Sequence, residues 1–592
     1  MQNEQFLHFA FRIFNFMKSR LRQYIAGFAA ILGLALLLGG LFVGATVLWR
    51  LMLLLGLWLL SLPFRGTNPR SWTTARGLSR LVLIFGLAFA AVGLQLARDQ
   101  VSQASAIRER AAALLQPSAA QNPGGPATVR PADRTALGDG RVWPIATSAI
   151  TRGAILDRAG APLAITRDGR RVYPNPSLGN VIGFASRLYG TTGVEATFDD
   201  YLSGARSLSP NELLQARLLG TPVNTAPADV RLTLDSRLQQ VAQDALGEQA
   251  GAVVLLDTQT GAILALAGYP RFDPNQLVLP DKASDADVAK VQAAWQALNG
   301  RADSPLLDRA TQGRYPPGSV IKTLTAAAAL DSGVVSGPEG QVTCPEQLPT
   351  EAGAPPVVNA VKNLAARTGD PSDLRRVFAW SCNTAFAQLG LALGPQRFGA
   401  YAARFGLGYA DPVSATADLR DIPADVGTIA GSAAFLQRPA ALADTAFGQG
   451  QALLTPLDMA RIVAAVANDG KLLRPYLVQD ARSGNRVLYA AKPEVLRQVI
   501  SLRAAQQLRA IMQTSVEIGY AKPVALPGVT IGAKTGTAET SSGAPHSWFV
   551  ALAPVDKPRF AIAVIVEHGG EGSRSALPVA RLVLAAALGV QP

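Results

Sequence analysis

The chain is 592 residues long, 49% apolar and 16% charged, with two cysteines and three histidines, which is room for several domains. A formal charge of +13 invites a nucleic-acid reading, but nine Lys/Arg and one acidic residue fall within 1–97, so only +5 is left for the rest. No basic block carries the interleaved aromatics of a nucleic-acid surface. His8, His546 and His568 form no ligand pattern with cysteines or carboxylates, so no nucleic-acid partner, metal or other cofactor is implied.

No charged residue stands between Arg22 and Arg50, nor between Arg50 and Arg65. Residues 24–64 as a single helix would be about 60 Å long, twice the hydrocarbon thickness of a bilayer. Two tightly connected spans near 24–43 and 45–64 fit better, and the apolar run at 81–97 is long enough for a third. Arg12, Lys18, Arg20 and Arg22 precede the first span, and Arg65, Arg70, Arg76 and Arg80 fill the loop before the third. Both groups belong in the cytoplasm by the positive-inside rule, which puts everything after residue 98 outside. The length of the apolar stretch and the lack of a small-residue cleavage site favour a retained lipid-embedded anchor over a signal peptide. Gly40 and Gly44 form a weak G-x-x-x-G helix-packing pattern.

Residues 98–116 continue as a helix, and 117–145, rich in Pro, Gly and Ala, read as a linker. A small mixed α+β domain is expected over 146–228. Residues 229–592 then suffice for one large core. Its first strands are "GAVVLLD" (251–257) and "AILALAG" (262–268); its last are "SWFVALAP" (547–554) and "RFAIAVIVE" (559–567), followed by a helix at 575–588. Strands from both ends of the segment with helices between them predict an α/β fold, an antiparallel sheet sandwiched by helices.

Three short strings carry chemistry. Ser319-Val320-Ile321-Lys322 is the sole S-x-x-K and Lys534-Thr535-Gly536 the sole K-T-G. Of three S-x-N strings, Ser209-Asn211 precedes both, Ser483-Asn485 sits in a turn-like "ARSGNR", and Ser381-Cys382-Asn383 lies between the other two motifs in a helical setting. Ser319 follows Pro316-Pro317-Gly318 and opens an apolar helical run, so Ser319 and Lys322 share a helical face one turn apart. A serine hydroxyl needs a neighbouring base. Lys322 serves as one only when uncharged, and burial beside a second cation, Lys534, lowers its pKa. "GVTIGAKTGTAET" (528–540) alternates like an edge strand facing the site. There Gly536 would admit a substrate backbone, Thr535 and Thr537 with Lys534 would hold a carboxylate, and the N–H groups of Thr537 and Ser319 would form an oxyanion hole. Ser381 and Asn383 would complete the proton relay. Cys344 and Cys382 either bridge or remain a buried thiol pair, and the sequence favours neither.

With these motifs the chain resembles a class B penicillin-binding protein, a peptidoglycan D,D-transpeptidase. "RGAILDRAGAPLA" (152–164) and "YGTTGVEATFDDYLSG" (189–204) resemble signatures of that family's non-catalytic pedestal, a dimerisation-like domain. "GAVVLLDTQTGAILALAGYPRFDPN" (251–275), "FGQGQALLTPLDMA" (447–460) and "HSWFVALAP" (546–554) resemble segments of its transpeptidase domain. The resemblance covers 150–590. It implies a membrane anchor over 1–97 with a linker to 145, a pedestal over 146–228 and a transpeptidase domain over 229–592, in the inner membrane of a bacterium. It also implies peptidoglycan stem peptides as substrate, β-lactams as inhibitors, and a separate SEDS-type membrane glycosyltransferase as partner. Two other functions compete: a hydrolase (D,D-carboxypeptidase or β-lactamase) and a non-catalytic penicillin sensor or scaffold. The deacylating E-x-x-L-N string of class A β-lactamases and the H-E-x-x-H of a sensor protease are both absent from the sequence.

The anchor reading predicts that reporters fused after residues 48, 72 and 110 report outside, cytoplasm and outside in turn. A residue-72 fusion found outside would leave only one span before it and overturn the three-span order.

Overall fold

The structure, a computed structural model, describes residues 152–204, 226–280, 282–411, 417–541 and 543–592. The three expected spans at 24–43, 45–64 and 81–97 and the linker to 145 lie outside the described residues. Among the described residues no helix is long and apolar enough to cross a membrane.

Down the chain come β1 (Ile155–Leu156), β2 (Pro162–Arg167), β3 (Arg170–Val172), β4 (Asp229–Leu232) and α1 (Ser236–Leu246). The hairpin β5 (Gly251–Asp257) and β6 (Ile263–Tyr269) follows. Helices α2 (Lys322–Asp331), α3 (Asn383–Arg404), α4 (Pro439–Phe447) and α5 (Pro456–Ala467) lead to β7 (Val478–Ser483) and β8 (Arg486–Ala490). The last elements are α6 (Leu502–Glu517), β9 (Gly532–Ala538), β10 (His546–Ala553), β11 (Phe560–Val566) and α7 (Ala576–Leu588).

The five-stranded sheet runs β9-β10-β11-β5-β6, antiparallel throughout. Strands from both ends of the domain thus meet at its centre, with β11 paired to β5 from Val566↔Gly251 to Phe560↔Asp257. Every residue of β11 is buried, the unbroken apolar run of a strand covered on both faces. One face packs on α1 and α7, the other on α5 and α6. This is the helix-covered antiparallel sheet that the sequence predicts.

A second, six-stranded sheet has the order β8-β7-β4-β1-β2-β3, with β4 parallel to β1. It joins residues 155–172 to residues 478–490 through β4 and so crosses the expected domain boundary at 228/229. Beside it stands a charge cluster. Glu195, fully buried, accepts from Arg171 Nε at 2.6 Å, from Tyr173 OH at 3.1 Å and from Arg152 Nε at 2.5 Å, while Arg152 Nη1 reaches Asp199 at 2.6 Å. A carboxylate taken out of water is stable only when paired and fully hydrogen-bonded. Arg152, Glu195 and Asp199 come from the two pedestal strings, so those strings encode this cluster.

Candidate active site

Gly318–Ile321 form a 3-10 turn that runs directly into α2. In a 3-10 turn positions i and i+3 eclipse, so Ser319 and Lys322 are aligned more closely than in the α-helix expected from the sequence. The start of the turn is wedged. Gly318 has φ +53°, and a Cβ there would lie 2.5 Å from the Thr537 carbonyl oxygen on β9. A Cβ on Gly448, at the end of α4, would lie 1.9 Å from the Gly318 carbonyl. Only glycine fits either place. The edge strand β9 and the turn carrying Ser319 therefore touch at backbone distance.

Lys322 is 0% exposed, and its Nζ donates to Ser381 O at 2.8 Å, Ser381 Oγ at 3.1 Å and Asn383 Oδ1 at 2.7 Å. Lys534, also 0% exposed, donates to the same Ser381 Oγ at 2.9 Å and to Thr535 O at 2.9 Å. Phe386 lies 5.5 Å from the first ammonium and Phe378 5.6 Å from the second. Among the described residues no carboxylate forms an ion pair with either lysine. Burial and the nearby Lys534 hold Lys322 well below the usual lysine range, and burial brings Lys534 down to about 7. Two unscreened cations around one hydroxyl are costly, so the pocket favours a neutral amine at Lys322. Lys322 donates to the S-x-N residues, and no hydrogen bond joins it to Ser319 Oγ.

The S-x-N wall is braced from behind. Ser381 sits at φ +56°, a left-handed conformation that is strained for a non-glycine residue. Cys382 caps α3 and is joined by a disulfide to Cys344, Cα to Cα 6.2 Å. Asn383 N–H donates to Asn359 Oδ1 at 2.8 Å, its Nδ2 donates to Val358 O at 3.0 Å, and Asn359 Nδ2 donates to Pro345 O at 3.0 Å.

The model of the penicillin binding protein transpeptidase domain matches residues 251–585. The chain belongs to the penicillin-binding protein transpeptidase family. It is 36% identical to the peptidoglycan D,D-transpeptidase PbpA of Mycolicibacterium smegmatis over 450 residues, 72% of this chain and 86% of that one. It is 28% identical to the peptidoglycan D,D-transpeptidase MrdA of Acinetobacter baumannii, over 69% of this chain and 65% of that one. Penicillin-binding protein A from M. tuberculosis, solved as acyl-enzyme complexes with ceftriaxone and with penicillin G, superposes with a TM-score of 0.64 in both cases. The identities are 33% and 34%, over 75% and 74% of this chain and 100% and 99% of those.

In this penicillin-binding protein, then, Lys322, Ser381, Asn383 and Lys534 are joined by hydrogen bonds from a helix start, a loop and an edge strand, and Ser319 stands one turn before Lys322. Thr535 is 8% exposed, and Thr537 Oγ1 accepts from Gly572 N–H at 3.4 Å. Gly536 is also required by the packing of the fold. A Cβ there would lie 2.9 Å from Val320 Cγ1 and 3.0 Å from Trp548 Cβ, so the missing side chain makes room for the turn that bears Ser319. Asn359 escaped the sequence reading because a lone asparagine carries no motif and its partners are tertiary. Trp548 lay inside a recognised segment without a visible role, and Tyr315 just before the prolines that precede Ser319; Trp548 Nε1 donates to Pro316 O at 2.9 Å and fixes the approach to Ser319.

Gly536→Ala should push β9 away from Val320, destabilise the domain by about 1–3 kcal/mol and slow acylation by penicillin. A variant with wild-type melting temperature and acylation rate would show that the contact is slack.

Proposed function

We propose that this protein is a serine-type peptidoglycan D,D-transpeptidase and a penicillin target, with Ser319 as the acylated residue. One observation carries the assignment: two fully buried lysines, with no counter-ion among the described residues, converge on Ser381 Oγ, and one of them, Lys322, stands one turn from Ser319. Family membership and the acyl-enzyme complexes of similar proteins support it.

In this reading Ser319 Oγ attacks the carbonyl carbon of the penultimate D-alanine of a stem peptide, and its proton passes to the neutral amine of Lys322. The oxyanion is held by the N–H groups of Ser319 and Thr537, while Lys534, Thr535 and Thr537 hold the terminal carboxylate. The C–N bond breaks, and the departing D-alanine amine takes a proton relayed through Lys322 and Ser381. An amine from a neighbouring stem then loses a proton to the same relay and attacks the ester, and Ser319 recovers its hydrogen. Asn383 orients Lys322 and the substrate amide. A class A β-lactamase needs a carboxylate to activate water, and none hydrogen-bonds to these groups among the described residues, which counts against that hydrolase. The anchor over 24–97 places the reaction outside the inner membrane, beside a SEDS-type glycosyltransferase that supplies uncross-linked strands; charge distribution and family resemblance support these two assignments.

Fluorescent penicillin should label the full-length chain with a persistent adduct, and Ser319→Ala should fold yet take no label. Undiminished labelling of that variant would refute the assignment. The two lysines should separate by pH. The active form of Lys322 is the neutral one, so acylation falls as pH drops through its depressed pKa. Lys322→Arg cannot give up its proton and should lose acylation. Lys534→Arg should keep the acid limb of the profile in place, whereas Lys534→Met, which removes the neighbouring cation, should move it to higher pH. A limb that ignores Lys534→Met would mean that the lysines are not coupled.

A further inference from the structure

Glu567 follows the last residue of β11, on the rim of the central sheet, and its backbone N–H donates to Ala250 O at 2.7 Å. Its Oε1 receives two donors, Tyr315 OH at 2.7 Å and Arg309 Nε at 2.7 Å. The rest of the Arg309 guanidinium is spent on the loop before it, with Nη1 on Ser304 O at 3.0 Å and Nη2 on Asp303 O at 2.8 Å. None of these groups belongs to the three motifs.

Tyr315 is 7% exposed and lies four positions before Ser319. Its backbone is bridged to Leu454 by two hydrogen bonds of 2.9 Å, and its ring meets the edges of Trp548 and His546 at 6.2 and 5.6 Å. Between Tyr315 and the nucleophile come Pro316, Pro317 and Gly318. Two consecutive prolines fix φ and make that link stiff. The one free joint, Gly318, is pinned between Thr537 and Gly448. A shift at Tyr315 therefore reaches Ser319 instead of being absorbed on the way.

We propose that Glu567 is a positioning residue for Ser319: by accepting from both Tyr315 and Arg309 it ties the rim of the sheet to the stiff segment that sets the nucleophile against β9. The inference rests on the reading of Ser319 given above. It explains why a carboxylate stands near the site without contacting either lysine. The charge is used on the phenol and the guanidinium, and the lysine pocket is left without a counter-ion.

The test uses full-length protein in detergent and a fluorescent penicillin over a range of concentrations, which separates initial binding from the acylation rate constant, with reactive sites counted by titration. Tyr315→Phe removes one hydroxyl and keeps the ring packing; Glu567→Gln keeps the shape and removes the charge. Each should lower the acylation rate constant per titratable site between about tenfold and about a hundredfold, the scale on which misplaced reacting groups cost rate, with initial binding nearly unchanged. Variants that melt earlier or titrate fewer sites but acylate each remaining site at the wild-type rate would reduce Glu567 to a structural brace and overturn the proposal. Labelling of Ser319→Ala would instead overturn the reading on which it rests, so the two failures are told apart.

Discussion

Two lysine side chains are removed from water, share one hydroxyl and have no anion among the described residues to balance them. Each buried cation lacking a partner carries a desolvation cost of several kcal/mol, and the fold lowers that cost by letting a proton leave. Lys322 is held well below the usual lysine range and Lys534 near 7. A carboxylate in the pocket would stabilise the fold and fix both charges, at the expense of the base. Phe386 and Phe378, at 5.5 and 5.6 Å, wall the pocket without adding a formal charge.

Such a pocket works only if its walls do not move, and the walls come from distant parts of the chain. The turn bearing Ser319 meets β9 at a contact that admits no Cβ on Gly318, and α4 meets the same turn at one that admits none on Gly448. Gly536 and Gly572 extend the pattern: a Cβ on Gly572 would lie 2.5 Å from Gly536 O and 2.4 Å from Trp548 O. Glycine, the most flexible residue in an unfolded chain, is used here at the most crowded places in the folded one. The disulfide and the Asn359 bonds do the same for the S-x-N wall, whose left-handed Ser381 would otherwise relax.

The sequence was most legible where local pattern and chemistry coincide. S-x-x-K, S-x-N and K-T-G marked the four groups that hydrogen-bond to one another, Lys322, Ser381, Asn383 and Lys534, with Ser319 one turn before Lys322, and the alternation in 528–540 marked the edge strand. The continuous apolar runs of β5 and β11 marked the sheet centre. What stayed hidden depends on long-range contacts. Whether Cys344 and Cys382 join is decided by how the 344–359 stretch folds back on α3. The pairing of β4 with β7, across more than two hundred residues, joins the first strands of the described chain to its C-terminal half, and no local feature announces it. The sequence suggested room for substrate at Gly536; its second use, clearing Val320, depends on a contact that no local pattern shows.

The same chain treats buried charge in two opposite ways, and the difference separates framework from chemistry. Glu195 lies as deep as Lys322, yet it receives two guanidiniums and a phenol, and Asp199 takes another Arg152 nitrogen. Counter-ions on that scale hold a charge permanently, which suits a brace in the pedestal. Around Lys322 the donors and acceptors are neutral: a carbonyl, a hydroxyl and an amide oxygen. They orient the amine without deciding whether it carries a proton. In the proposed reaction Lys322 takes a proton from Ser319 and returns it within one turnover, which needs both states within reach, and a pocket of neutral dipoles supplies that where an ion pair would not.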